Sequence, residues 1–275
     1  MRCLIDAAQW AADEIELSPD ESHHLVQVLR ARPGEQVGLF TGQGHTAEAT
    51  FIAVRQKRAL VRVLSATRRA TPPPAVAVTL IQAIPKHALM DGIIQKAVEL
   101  GAQAIQPLMT ERVIIRLSAG DGQSAGEAER RRGRWQKIAL EATRQCGVAW
   151  MPTVLPVCSL PELIPDLARF DLCIVASLHA EARSFREVIA SACQGVAFLR
   201  SLALIIGPEG DLTETETTAL RDAGAQLVSF GKAVLRVETA ALYGLSLLHY
   251  EMQETEFRSQ NEANKTCRSV DNYES

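Results

Sequence analysis

In the stretch Leu202-Ala203-Leu204-Ile205-Ile206-Gly207-Pro208-Glu209-Gly210-Asp211, an apolar run breaks directly into a glycine-bearing loop. A continuous apolar run of this length is typical of a strand that is covered on both faces of a parallel sheet. Thr213-Glu214-Thr215-Glu216 then has the pattern of a capping box, which predicts a helix ending near Gly224. We therefore predict a strand, a loop and a helix in that order.

A second junction of the same kind follows. Gln226–Phe230 predicts a strand that ends at Gly231, and residues 237–250 predict a helix. In open α/β sheets, ligands bind beyond the carboxyl ends of the strands, and glycine lets the backbone approach a ligand closely. Two such junctions, which we expect at neighbouring strand ends, indicate a ligand site. The alternative is that each turn was selected for backbone geometry alone.

The surrounding pattern is an alternation of strands and helices. Further strands are predicted at Ala75–Ala83, Ala104–Met109 and Leu172–Ala176, with helices at Lys86–Leu100 and Glu127–Cys146. This alternation is typical of an α/β domain with a mostly parallel sheet, spanning residues 75–250. Neither a P-loop nor a dinucleotide-binding glycine motif is present in the sequence.

Residues 1–70 have a different character and predict a small β-rich domain, separated from the rest by the stiff linker Thr71-Pro72-Pro73-Pro74. Ser18-Pro19-Asp20-Glu21 predicts a helix start, and Gly42-Gln43-Gly44 predicts a hairpin turn. Basic residues cluster late in this domain. They form either a solvated face or a surface that contacts phosphates.

Composition excludes several classes of protein. The chain has 275 residues, is 47% hydrophobic and contains no apolar run near the ~18 residues of a membrane span. Six scattered cysteines without a CxxC pair argue against a zinc site or a disulfide framework, and they favour a reducing cytoplasm. The net charge of −3 resides in residues 251–275, an acidic polar tail predicted to be disordered, so the body is neutral and any RNA-binding surface must be local.

A series of motifs along residues 1–250 resembles the RsmE family, the small-subunit (16S) ribosomal RNA uridine-N3 methyltransferases of the SPOUT (α/β-knot) superfamily. The glycine junctions Ile206–Gly210 and Leu235–Ala240 carry the resemblance. Matching segments occur in the same order, at His23-His24-Leu25, Val28-Leu29-Arg30, Met90–Gly101, Pro107–Arg112, Trp135–Ala142 and Gln145-Cys146-Gly147.

The resemblance implies an N-terminal PUA-like β-barrel domain that binds RNA, and a C-terminal SPOUT domain with a trefoil knot that binds S-adenosyl-L-methionine. It also implies a homodimer acting on the small ribosomal subunit, with no metal. The implied cofactor-binding residues surround the two glycine loops and the end of the strand Leu172–Ala176. They are Leu178, His179, Gly207, Glu209, Gly210, Leu227, Ser229, Gly231, Val234 and Leu235.

The catalytic candidates follow from the chemistry of uracil. N3 is a poor nucleophile while it is protonated, so transfer requires either loss of that proton or stabilisation of the anion on O2 and O4. Arg236 is our candidate for that stabilisation, since a guanidinium is always charged; the alternative is a structural ion pair with Glu238. Glu238 could accept the proton, orient Arg236 or favour the helix N-terminus. Arg112 could hold a phosphate or the base, or pair with Glu111.

The RNA-binding candidates are basic residues in both domains. Residues 130–134, Arg-Arg-Arg-Gly-Arg, form the densest basic run of the second domain, with a solvated helix start as the alternative. Trp135 lies among these bases but falls on the apolar stripe, so we predict it to be core. The candidates are Arg2, Arg30, Arg55, Lys57, Arg58, Lys86, Arg131, Arg134 and Arg144.

The chain departs from the RsmE pattern, mostly by loss of basic residues. Ala233 and Leu89 stand where the family has a basic residue. In the run Arg144–Val148, the basic residue is the first one, Arg144, whereas the family has it in the last position, here Val148. Asp211 replaces a second glycine, and Cys3-Leu4 follow Arg2 in place of aromatic residues. The resemblance thus supports the cofactor more strongly than the RNA target. The other hypotheses are a SPOUT enzyme that modifies another RNA, and a non-catalytic RNA-binding or ribosome-assembly protein with the same fold.

Overall fold

The computed structural model describes residues 1–86, 89–112, 122–195 and 199–252. The chain divides into two compact units. The first contains Met1–Pro74 and Ala139–Pro152, and the second contains Ala75–Ile138 and the chain from Thr153 onward. Residues 139–152 therefore group with the N-terminal unit, whereas the sequence placed them within the domain that follows the linker. Residues 253–275 of the tail predicted to be disordered lie outside the described part.

The first unit is a six-stranded sheet in the order β1-β3-β4-β5-β2, with β6 paired to β4. Only β1 and β3 are parallel; the other pairings are antiparallel. Cys3, Ile15, Leu39, Phe51 and Val61 are members of its buried core. The strands are β1 (Arg2–Leu4), β2 (Glu14–Glu16), β3 (Gln36–Phe40), β4 (His45–Arg55), β5 (Arg58–Val63) and β6 (Arg69–Ala70).

The predicted helix start at Ser18 is confirmed, but its capping box is only half formed. Helix α1 (Pro19–His23) begins with the Ser18 side chain accepting a hydrogen bond from the Glu21 N–H. The Glu21 carboxylate does not return to the cap. It accepts instead from the Leu4 N–H at 3.0 Å and pairs with Arg144. The helix then widens into a π-helical turn over His24–Val28, which leaves Val28 exposed.

The second unit is built on a parallel sheet in the order β10-β8-β7-β13-β11-β14-β12, with β9 paired to β8. All pairings among its described strands are parallel, in agreement with the continuous apolar runs of the sequence. The strands are β7 (Ala77–Ala83), β8 (Ala104–Met109), β9 (Thr153–Val154), β10 (Cys158–Ser159), β11 (Leu172–Ala176), β12 (Arg183–Ser184), β13 (Ser201–Ile206) and β14 (Gln226–Ser229).

Helices connect these strands, as predicted. The capping box of Thr213 and Glu216 is fully formed, and Trp135 is buried, so both predictions are confirmed. The helices are α2 (Leu89–Glu99), α3 (Gly122–Cys146), α4 (Leu160–Leu163), α5 (Phe185–Gly195), α6 (Glu214–Asp222) and α7, residues 237–252.

The order of the strands corrects one expectation about the site. The strands that precede the two glycine loops, β13 and β14, are not neighbours, because β11 lies between them and pairs with both. Three adjacent strands therefore end together, at Ala176, Ile206 and Ser229. The segment after β11 therefore lies between the two glycine loops, which the sequence predicted to follow neighbouring strands.

Within the described ranges, no helix is long and apolar enough to cross a membrane.

Candidate active site

A cavity of about 480 Å³ opens at the carboxyl ends of β11, β13 and β14. Its walls come from the three segments that follow these strands and from the first turns of α7. The lining residues are Leu89, Ala176, Ser177, Leu178, Ile206, Gly207, Pro208, Glu209, Asp211, Phe230, Gly231, Ala233, Val234, Leu235, Arg236, Val237, Glu238 and Ala240. Most of them are apolar, so the cavity suits a ligand with an extended apolar or aromatic surface.

The loop after β13 is held from both sides. The Glu209 carboxylate accepts a hydrogen bond from the Lys86 N–H at 2.7 Å. The Arg112 guanidinium donates to the Gly210 carbonyl at 2.5 Å. A Cβ added at Gly210 would lie 3.4 Å from the Arg112 Cδ. These contacts fix the loop, and they give Arg112 a structural role that the sequence did not predict.

The loop after β14 turns on a single glycine. Gly231 has φ of +113°, a left-handed conformation that side chains disfavour. The Ser229 hydroxyl accepts from the Gly231 N–H at 3.2 Å, which stabilises the turn. The next residues then run along the cavity to the start of α7.

Arg236 and Glu238 both line the cavity, as the proposed catalytic pair must. Arg236 is exposed and Glu238 is half-buried. Within the described residues neither side chain forms an ion pair or a hydrogen bond. The alternative in which Arg236 is a structural partner of Glu238 is therefore disfavoured, and the guanidinium is available to a ligand.

Six of the ten predicted cofactor-binding residues line the cavity: Leu178, Gly207, Glu209, Gly231, Val234 and Leu235. The other four are not among the lining residues. Leu227 belongs to the core beneath the sheet, and Ser229 and Gly210 shape the two loops. His179 Nδ1 accepts from the Glu181 N–H at 3.4 Å, and His179 Nε2 lies 3.7 Å from Glu214 Oε1.

Sequence reasoning missed several lining residues, among them Ala176, Ser177 and Phe230. They stand directly at the ends of β11 and β14, so the strand ends were the available signal. Asp211 was noted only as a departure from a glycine, yet it lines the cavity.

Charge in the cavity is unbalanced. Among the lining residues that the structure describes, the charged side chains are Glu209, Asp211, Glu238 and Arg236, three acidic and one basic. A concave site with an excess of negative charge favours a cationic ligand.

Two predicted RNA-binding arginines of the first unit are engaged inside it. Arg144 is largely buried and pairs with Glu21 and Glu141. Burial raises the pKa of Glu21, although the neighbouring Arg144 opposes this. The Arg2 guanidinium donates to the Thr143 and Val148 carbonyls, and burial lowers the pKa of Arg2. Both arginines are engaged by groups of the first unit, and Arg2 remains partly exposed.

The basic run of α3 is compensated by neighbouring acids. Arg131 pairs with Glu127 at 2.8 Å and Arg134 pairs with Asp91. In the first unit, Arg58 donates to the Leu17 carbonyl at 2.8 Å. The ion pairs of Arg131 and Arg134 therefore favour the alternative in which residues 130–134 are the solvated start of a helix over a phosphate-binding surface of unpaired arginines.

The remaining candidates are exposed: Arg30, Arg55 and Lys57 in the first unit, and Lys86 in the second. None of these four side chains forms an ion pair within the described ranges. Arg30 and Lys57 also have positive φ, of 54° and 66°.

In the part of the chain that the structure describes, no cluster of three or more His, Cys, Asp or Glu side chains could hold a metal ion.

Comparison with known families agrees with this architecture. A model described as an RNA methyltransferase domain matches residues 72–249, and a model described as an RNA methyltransferase PUA domain matches residues 17–64. The first match alone covers more than half of the chain, so the class is that of RNA methyltransferases with a PUA domain.

Individual relatives narrow the class. The chain is 31% identical to ribosomal RNA small subunit methyltransferase E of Bacillus subtilis, over 88% of this chain and 92% of the relative. It is 35% identical to the Mycobacterium bovis protein of the same name, over 82% of each. The chain therefore belongs to the ribosomal RNA small subunit methyltransferase E family.

Solved structures give the same result. The Neisseria gonorrhoeae ribosomal RNA small subunit methyltransferase E, bound to S-adenosyl methionine, matches with a TM-score of 0.75 and 29% identity over 90% of this chain and 96% of that one. A putative methyltransferase from Legionella pneumophila, also solved with that cofactor, matches with a TM-score of 0.79 and 28% identity over 91% and 97%.

Proposed function

We propose that the protein transfers a methyl group from S-adenosyl-L-methionine to N3 of a uridine in 16S ribosomal RNA of the small subunit. The observation that carries the proposal is Arg236, an exposed guanidinium that lines a mostly apolar cavity and has no ion pair in the described structure. The family, and the cofactor in two similar structures, support the reaction class.

The residues that line the cavity suit this cofactor by their chemistry. Apolar walls from Leu178, Ile206 and Val234 suit an adenine ring. The backbone of Gly207 and Gly231 permits close approach. The carboxylates of Glu209, Asp211 and Glu238 suit a ligand that carries a sulfonium and an ammonium group.

The bound cofactor supplies an electrophilic methyl group. Removal of the N3 proton leaves negative charge on O2 and O4 of the uracil, and the Arg236 guanidinium would stabilise that charge. Glu238 lines the same cavity, so it is the candidate to accept the proton or to orient Arg236. Arg112 contributes by holding the loop through the Gly210 carbonyl.

We assign contact with the RNA to four exposed basic residues whose side chains form no ion pair in the described part of the chain: Arg30, Arg55, Lys57 and Lys86. Cations of this kind supply salt-dependent affinity for phosphates.

The trefoil knot, the homodimer and the cytoplasmic location belong to the same proposal. Leu178 and Val234, exposed apolar side chains at the cavity, support a second copy covering this edge.

The test is methylation of small ribosomal subunits that lack the modification, using labelled S-adenosyl-L-methionine and mass spectrometry of the digested RNA. We expect labelled 3-methyluridine. We further expect Arg236→Ala to lower turnover by about 100-fold or more, with the cofactor dissociation constant within about threefold of the wild type. Lys232→Ala is the matched control, since Lys232 is an exposed cation four residues away that does not line the cavity.

The other hypotheses have distinct outcomes. Label in another base or only in transfer RNA would replace the proposed substrate. Cofactor binding without label in any RNA would favour the non-catalytic alternative. Unchanged turnover of Arg236→Ala would remove Arg236 from the mechanism.

A further inference from the structure

We propose that Asp211 makes the cavity selective for the positively charged cofactor over the neutral product that remains after methyl transfer. This inference rests on the proposed function. It concerns a residue that stands where the RsmE pattern has a glycine, and it assigns that residue a role in ligand discrimination.

Asp211 occupies a backbone position that does not itself require aspartate. Its φ is 61°, a left-handed conformation that glycine adopts at the lowest cost and aspartate tolerates. Its N–H donates to the Pro208 carbonyl at 2.9 Å, which closes the turn through the backbone alone. Glycine would satisfy the same geometry, so what aspartate adds here is its carboxylate.

The carboxylate is fixed in place and lines the cavity. Asp211 Oδ1 accepts from the Leu212 N–H at 2.8 Å and lies 3.3 Å from the Cβ that an alanine at 207 would carry. Within the described residues, Oδ2 accepts no hydrogen bond and the carboxylate has no cationic partner. The charge is therefore held at the wall formed by Gly207, with one oxygen open to a ligand.

The two ligands differ in charge. S-Adenosyl-L-methionine carries a sulfonium, an ammonium and a carboxylate, and its net charge is positive. Transfer of the methyl group turns the sulfonium into an uncharged thioether, so S-adenosyl-L-homocysteine has no net charge. A fixed carboxylate in a partly apolar cavity attracts the first more strongly than the second. Among the described residues that line the cavity Arg236 is the single basic one, so removal of Asp211 would reduce the excess negative charge.

The test is isothermal titration of the full chain with each of the two ligands, separately, without RNA. Asp211→Asn is the main variant, because asparagine also tolerates left-handed φ and keeps an oxygen for the Leu212 N–H. Asp211→Gly is the second variant, since glycine readily adopts the left-handed φ of this position and removes the side chain altogether. Asp222→Asn is the matched control, an exposed carboxylate on α6 that does not line the cavity.

For wild type and Asp222→Asn we expect the same ratio of the two dissociation constants. For both Asp211 variants we expect the preference for S-adenosyl-L-methionine to fall by about tenfold, which is the size expected from one charge pair that is partly exposed to water. The affinity for S-adenosyl-L-homocysteine should stay within about twofold of the wild type, because that ligand has no net charge. Added salt should reduce the preference of the wild type more than that of the variants.

Two results would overturn the inference while leaving the proposed function intact. One is an unchanged ratio in Asp211→Asn and Asp211→Gly. The other is an equal loss of affinity for both ligands, which would mean that Asp211 only shapes the loop. A wild type that binds neither ligand would instead overturn the proposed function, and this inference with it.

Discussion

Gly92 and Gly244 both lie inside helices of the second unit, where glycine is intrinsically unfavourable. Gly92 on α2 is exposed, and a Cβ there would meet nothing within 4 Å. A Cβ at Gly244 on α7 would lie 2.8 Å from Leu204 Cδ2 and 2.9 Å from Phe230 Cζ. Gly244 therefore lets α7 approach β13 and the cavity residue Phe230, whereas Gly92 has no such role.

The pair makes a direct prediction. We expect Gly92→Ala to raise the free energy of unfolding by about 0.5–1 kcal/mol through helix propensity. We expect Gly244→Ala to lower it by about 1–3 kcal/mol, because the core is already filled there. Urea titration followed by far-ultraviolet circular dichroism measures both. Equal stabilisation by the two substitutions would show that Leu204 and Phe230 yield readily and that the close approach is not needed.

Arginines show what sequence can and cannot indicate at this scale. Arg236 followed a glycine loop at a strand end, and that local pattern was enough to predict its place at the ligand cavity. Arg144 looked equally available in a basic helix. Its burial depends on Glu21, more than 120 positions away, because that carboxylate turns from its own helix cap toward Leu4 and Arg144. A partner so distant in the chain leaves no local signal.

At the scale of elements, the hairpin between β4 and β5 has an unusual turn. Arg55 and Arg58 are paired, so Gln56 and Lys57 form a two-residue loop. Both have positive φ, 49° and 66°, as in a type I′ turn, which strongly prefers Asn-Gly. The present residues are therefore held in a conformation that costs roughly 1 kcal/mol or more.

Replacing the turn should relieve that cost. We expect the double variant Gln56→Asn, Lys57→Gly to raise the midpoint of urea unfolding of the first unit, equivalent to about 1–2 kcal/mol. If Lys57 also contacts RNA as proposed, the same variant should bind RNA more weakly and with a smaller dependence on salt. The matched variant Gln56→Asn, with Lys57 retained, separates the two effects. A turn variant no more stable than the wild type would contradict the conformational argument.

Elements with strong local patterns were predictable, and their order in the sheet was not. The strands Ala104–Met109 and Leu172–Ala176 begin and end where their apolar runs predict. The position of β11 between β13 and β14 was missed, because strands covered on both faces share the same apolar pattern and their sequence does not encode their neighbours. For this reason the two glycine loops were predicted at neighbouring strand ends, although β11 separates their strands.

At the scale of the whole molecule, exposed apolar side chains gather around the cavity of the second unit. Val234 is 77% exposed and Leu178 is 56% exposed, and both line the cavity. Two large apolar side chains so exposed at one cavity are typical of a surface that a partner covers. In the first unit, Val54 is an exposed valine beside the hairpin turn and does not line this cavity.

A second copy of the chain is the partner that we propose, so a charge at this surface should separate the copies. We expect the wild type to sediment with about twice the 30.0 kDa mass of the chain and Val234→Asp to shift toward the monomer, because a buried unpaired carboxylate opposes association. Val54→Asp carries the same substitution on the first unit and should sediment as the wild type does. A wild type that is monomeric at micromolar concentration, or a Val234→Asp variant that remains dimeric, would contradict the assignment of this surface.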